Sequence, residues 1–203
     1  MPNIKKNFSL PVGLALKIII VSAGLVLYFA PVESNLGSGI LYVYIHAAAM
    51  QAGKIGLLLV ACAGLVSLFI KRDNLLKLIQ LTGWISLIFY VAGILISIVA
   101  AKVNWGEVFL AEPRYQSSAI IVLYASTIFI LADWMSNTRY LGIIFFSIAP
   151  VMLWVDANTK LILHPENPVG ASPSTGIKST FFLLFILNLL ALMILVYKFY
   201  RKK

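Results

Sequence analysis

Six apolar runs separated by short polar segments set the limits on what this chain can fold into. They fall at about residues 12–30, 40–70, 75–101, 118–134, 140–155 and 177–197. A membrane-spanning helix needs roughly 20 predominantly apolar residues, and the runs reach or approach that length. Of all residues, 61% are hydrophobic and 11% charged, whereas about a quarter of a soluble domain is charged. The expectation is an all-α integral membrane protein, a six-transmembrane helix bundle forming one membrane domain over residues 1–203, with no separate soluble domain.

The boundaries between runs carry recognisable breakers. Pro31 ends the first, because proline cannot continue the hydrogen-bond ladder. Lys71-Arg72-Asp73-Asn74 makes a basic turn, and 156–176 is a proline- and glycine-rich outer loop. The first run follows Lys5 and Lys6, as in a signal peptide, but it is longer than a usual signal core and has no clean small-x-small cleavage site. It reads as a retained helix.

The net charge of +9 would suit a nucleic-acid partner if it formed a patch. Instead the positive residues gather at alternate ends of the runs. One set of ends holds Lys5, Lys6, Lys17, Lys71, Arg72, Lys77, Arg139, Lys198, Arg201, Lys202 and Lys203; the other holds Lys102, Arg114, Lys160 and Lys178. The positive-inside rule puts both termini in the cytoplasm, and the expected location is a cell (plasma or inner) membrane. No nucleic-acid partner is expected. The single cysteine, Cys62, rules out an intrachain disulfide and reads as a small core residue.

That orientation places two connections outside, 102–117 and 156–176. The first contains Trp105, Phe109 and Tyr115 beside Glu107, Glu112 and Arg114. A plain connector between spans has no need of Trp or Phe, so this stretch reads as an amphipathic platform at the membrane surface. Glu33, Asp156 and Glu166 also fall on the outer side.

The two histidines, His46 and His164, converge on that side. His46 lies about 9 Å below the start of the second run at 1.5 Å rise per residue; His164 lies in the second outer loop. Each alone has an ordinary reading: an interhelical hydrogen bond for His46, a solvated loop side chain for His164. Together, two neutral imidazoles can bind haem iron from both sides. They are too few for a structural zinc site. Ala47, Ala48, Ala49 and Gly53 follow His46 and allow close approach of either a ligand plane or a neighbouring helix. Tyr42 and Tyr44 sit where an interfacial tyrosine belt is expected.

Lys54 lies near the middle of its span, where a charge is costly and functional by default. Its candidate partners are an acidic ligand group or backbone carbonyls, with snorkelling as the plain alternative; no acidic side chain is expected at its depth. Arg114 can grip a carboxylate bidentately or pair with Glu112 or Glu107. No nucleophile triad, P-loop or paired-carboxylate site is present, so no enzymatic activity is expected.

Several of these motifs, in this order, resemble the haem exporter protein C (CcmC) family of cytochrome c assembly. That family has six spans with both termini cytoplasmic. It carries a histidine in a Y-I-H-x-P-x-A-W context, an outer loop of the form WGxWWxWDxRLTS and a second histidine in an L-H-x-P context. The matching residues here are Tyr44-Ile45-His46 with Ala49; Trp105-Gly106, Glu112 in the aspartate position, Arg114 and Ser117; and Leu163-His164. Val108, Phe109 and Ala111 stand where the family has tryptophans, Ala48 replaces a proline and Gln51 a tryptophan, so the aromatic surface is thinner.

The resemblance implies that His46 and His164 are haem axial ligands. It implies that Trp105, Phe109, Glu112, Arg114 and Ser117 belong to a haem platform, with Arg114 holding a propionate. The implied cofactor is transiently bound haem b. The implied partners are a haem chaperone or apocytochrome and an ATP-binding-cassette transporter complex, in a lipid bilayer. Two other readings stay open: a small transporter or permease subunit with Lys54 and Gln51 lining a pathway, and a structural accessory subunit without haem.

Overall fold

The computed structural model describes residues 11–70, 73–135, 137–160 and 168–201. His164 lies outside the described residues, as do Lys5, Lys6, Lys71, Arg72, Lys202 and Lys203. The described residues form eight helices: α1 (Val12–Tyr28), α2 (Ile40–Ser67), α3 (Asp73–Trp105), α4 (Pro113–Ala132), α5 (Thr138–Phe146), α6 (Ile148–Asn158), α7 (Pro168–Ala171) and α8 (Thr175–Tyr200). In hydrocarbon every backbone N–H and C=O must be satisfied within its own segment, which makes helices of such apolar runs. Five helical segments are long and apolar enough to cross a bilayer, with α5 and α6 together counting as one; α1 is an apolar helix of 17 residues. The chain is a helical, multi-pass membrane protein.

The break between α5 and α6 is local. Pro150 has no N–H to give the carbonyl of Phe146, and its ring crowds that carbonyl, so the helix is interrupted around Ser147. Asn137 caps the start of α5 by accepting the N–H groups of Arg139 and Tyr140. Ser174 caps α8 by accepting that of Ile177 at 3.3 Å.

The α2–α3 hairpin is the spine. Its seam is built on small residues: a Cβ added at Gly53 would lie 2.6 Å from the Tyr90 backbone nitrogen and 2.7 Å from the Ser86 carbonyl oxygen. One added at Gly93 would lie 2.7 Å from the Met50 nitrogen and 2.9 Å from the His46 carbonyl. Backbone-to-backbone approach of this kind is how helices associate in lipid, where apolar burial gives no driving force. The small residues after His46 therefore serve helix packing: Gly53 meets α3, and Ala48 is buried against the cluster of Ile40, Tyr44, Ile177 and Leu184.

The main core joins α2 to α6 around Leu57, Ile79, Tyr90, Phe129, Phe145 and Ile148. One expectation about a single residue is corrected: Cys62 is exposed rather than part of the core. Tyr44 is fully buried and donates its hydroxyl proton to the Pro31 carbonyl at 3.2 Å, while Tyr42 is exposed.

Candidate functional site

The helix ends nearest the platform are not level. At the top of the spine, Asn104 of α3 donates to the Gly39 carbonyl, which precedes α2, at 3.2 Å. Further down α3, Tyr90 donates to Ser118 of α4 at 3.2 Å. At 1.5 Å per residue, Tyr90 lies about 21 Å below Asn104, whereas Ser118 lies only about 8 Å below the start of α4. The α2–α3 spine thus stands about 13 Å taller than α4. The end of α6 is equally low: Asp156, two residues before its last residue, reaches Lys54, which is deep in α2. Among the described residues this makes a step, with the ends of α4 and α6 as floor and the upper part of α2 and α3 as wall.

His46 is on that wall and partly buried. Its Nδ1 is 2.9 Å from the Tyr42 carbonyl oxygen, one turn earlier. A carbonyl only accepts, so Nδ1 donates its proton to it, the arrangement commonly found for a histidine that binds a metal through Nε2. About 12 Å further down the helix is the ion pair: Lys54 Nζ donates to Asp156 Oδ2 at 2.7 Å. This corrects the expectation that no acid lies at the depth of Lys54. The low end of α6 brings Asp156 down to it. Gln51, between the two levels, is exposed.

The floor is otherwise hydroxyl-lined. Ser117 donates to the Pro113 carbonyl at 2.8 Å and meets the Thr159 hydroxyl, tying α4 to the end of α6. Thr159 in turn donates to the Val155 carbonyl at 2.8 Å.

The platform is shorter than the sequence suggests. α3 continues through Trp105 and α4 already begins at Pro113, so the connector is residues 106–112. Gly106, at φ 75°, ends α3 in the left-handed conformation that glycine adopts without strain. Lys102 donates to the Gly106 carbonyl at 2.7 Å, a cation at a helix C-terminus. Trp105 and Phe109 are about half exposed. Glu112 is only 7% exposed; it is the N-cap residue of α4, where negative charge is favoured by the helix dipole. Arg114 is half-buried in the first turn of the same helix. The Glu112-Pro113 pair is a start signal, proline being preferred at the first helical position, and it marks in the sequence where α4 begins.

A shallow apolar groove of about 290 Å³ runs along the α3–α4 seam, lined by Val91, Ile94, Ile98, Leu110, Tyr115 and Val122 among others. Val91, Ile94 and Ile98 lie about 100–160° round α3 from Gly93, which faces α2. The groove therefore opens to lipid, on a different flank from His46. Leu110 and Tyr115 belong to that flank, and the structure does not bring them to the histidine. Among the described residues no three His, Cys, Asp or Glu side chains form a metal-binding group.

No family model matches the chain, and no curated protein matches it.

Proposed function

We propose that this chain is a six-span, haem-binding membrane protein of cytochrome c-type biogenesis, with both termini in the cytoplasm. It presents haem at the outer face of a cell membrane to a haem chaperone or apocytochrome. The observation that supports this most is His46: its Nδ1 is held by the Tyr42 carbonyl at 2.9 Å, and it lies about 12 Å along the same helix from the Lys54–Asp156 pair. A haem iron needs only one or two axial ligands, which fits this donor set better than a site needing three or four protein ligands.

In this reading His46 and His164 hold the iron, Trp105 and Phe109 cover apolar porphyrin edge, and Arg114 in the first turn of α4 holds a propionate. Glu112 and Ser117 complete the platform at the start of that helix. Haem is cargo here, and no bond to carbon is made or broken by the chain. An ATP-binding-cassette transporter is the kind of complex such a protein would work beside.

The test is an absorption spectrum of the purified full-length protein incubated with haemin. The expected result is a Soret band that is shifted or largely lost in His46→Ala and in His164→Ala. Unchanged spectra in both variants would remove the two-ligand reading. Failure of the wild type to bind haemin would remove haem altogether.

A further inference from the structure

Lys54 and Asp156 form an ion pair that is partly open to its surroundings. A charge pair taken out of water is stable only if its remaining donors and lone pairs are also satisfied. An ammonium has three donors. Among the described residues, Lys54 spends one of them, on Asp156 Oδ2, and that is the only hydrogen bond of the Asp156 side chain. The two side chains are 24% and 45% exposed, so the pair is open, and its position at the end of α6 puts it at the step. The other polar groups around it are engaged with each other: Tyr90 with Ser118, Ser117 with Thr159 and the Pro113 carbonyl. The floor thus offers one cation with donors to spare and a carboxylate that can swing into water.

We propose that Lys54 is a carboxylate-binding residue of the recess and that Asp156 is its resident counter-ion, joined or displaced by a carboxylate of the ligand. This rests on the haem reading and adds to it: one propionate goes to Arg114 and the other to Lys54, below His46 on the same helix. Exchange of one carboxylate for another conserves the charge at Lys54, so the ammonium is never left unpaired in the membrane. Loading and release then differ little in electrostatic energy, which suits a protein that must give its ligand away.

The experiment compares haemin with haemin dimethyl ester, which has the same iron and ring but no free carboxylate. Both are titrated by Soret absorbance into the full-length protein in detergent. The wild type is expected to prefer haemin by about tenfold, equivalent to about 1.4 kcal/mol. Lys54→Met should lower that preference by weakening haemin while leaving the ester unchanged, the remainder being the share held by Arg114. Asp156→Asn removes the competing carboxylate and should tighten haemin while leaving the ester unchanged. A purely bracing ion pair predicts the opposite for Asp156→Asn, with both ligands weakened together, and that result overturns the proposal. Equal wild-type affinity for the two ligands also overturns it while leaving the haem reading standing; binding of neither removes both. If Lys54→Met elutes aggregated in gel filtration, the direction of the Asp156→Asn effect decides alone.

Discussion

Helix α2 makes two seams of opposite character. Against α3 it presents Gly53, Gly56 and the backbone around His46, and the helices meet with no room for one further carbon. Against α6 it presents Lys54, whose long side chain reaches a partly exposed carboxylate. The first seam depends on contact that a fraction of an ångström would destroy. The second spans a gap that water or a ligand can enter. In lipid, where apolar surface gains nothing by leaving one hydrocarbon for another, small residues make the permanent contacts and polar ones make those that can change. The site sits where the two kinds meet: His46 lends its carbonyl to the tight seam, and Lys54, two turns on, closes the loose one.

The strongest way to break the contrast is Gly53→Leu. The new side chain would meet the backbone of Tyr90 and Ser86, which cannot yield as a side chain can, and the cost should be about 3 kcal/mol or more. Denaturant titration in detergent by circular dichroism should show the loss. A change under about 1 kcal/mol would mean that the seam is not rigid.

The loose seam should behave differently. Lys54→Met or Asp156→Asn alone should cost about 1–2 kcal/mol, because each strands or unbalances the other group. The double variant should be milder than Lys54→Met alone, since no unpaired carboxylate remains. Strictly additive losses in the same titration would show that the two groups do not interact.

A third comparison lies at the top of the spine. Asn104 donates to Gly39 and Ala100, but its buried Oδ1 has no partner among the described residues. Gly39→Ala would push against the end of the Asn104 side chain. The expected cost is about 1 kcal/mol, recovered in part by Asn104→Ala. Full cost with no recovery would place the strain elsewhere.

The smallest effect belongs to Glu33, in the loop before α2. The N–H groups of Leu36 and Asn35 donate to its carboxylate at 2.9 and 2.8 Å and hold its pKa below the ordinary value of 4.5. A group lowered in the folded state contributes fully above its unfolded value and loses that contribution as pH falls through the lower folded one. The protection of the Asn35 and Leu36 amides from exchange, relative to unstructured amides at the same pH, should therefore fall below about pH 4, and Glu33→Gln should remove that pH dependence without moving global stability. Unchanged protection across that range in the wild type would show that the loop does not rely on the charge.

Much of the helical frame was legible because lipid imposes simple demands on composition. The apolar runs and the proline after α1 mark their elements directly. The step was not legible, because it depends on how far helices slide past one another, and no local signal carries that. Lys102 and Asn104 look like loop residues, yet both are in α3: one caps its end, the other reaches the start of α2. Asp156 looks like an ordinary acid in an outer loop; only the low end of α6 makes it the partner of Lys54. Cys62 failed for a related reason, since in an almost wholly apolar helix the pattern does not say which side faces lipid. His46 was found by its rarity, but its bond to Tyr42 became visible only with the helix built.

The unequal heights of the helices also concern the bilayer. At 33 and 20 residues, α3 and α4 are about 50 and 30 Å long, and a hydrocarbon layer is about 30 Å thick. Lipid can match one flank of the protein only by failing to match the other, at a cost of a fraction of a kcal/mol per ångström. Where the lipid settles decides whether the floor at Lys54 is wet. A thicker bilayer would cover the recess with acyl chains, and a thinner one would open it to water and soluble partners, so access to the site becomes a property of the membrane as much as of the protein.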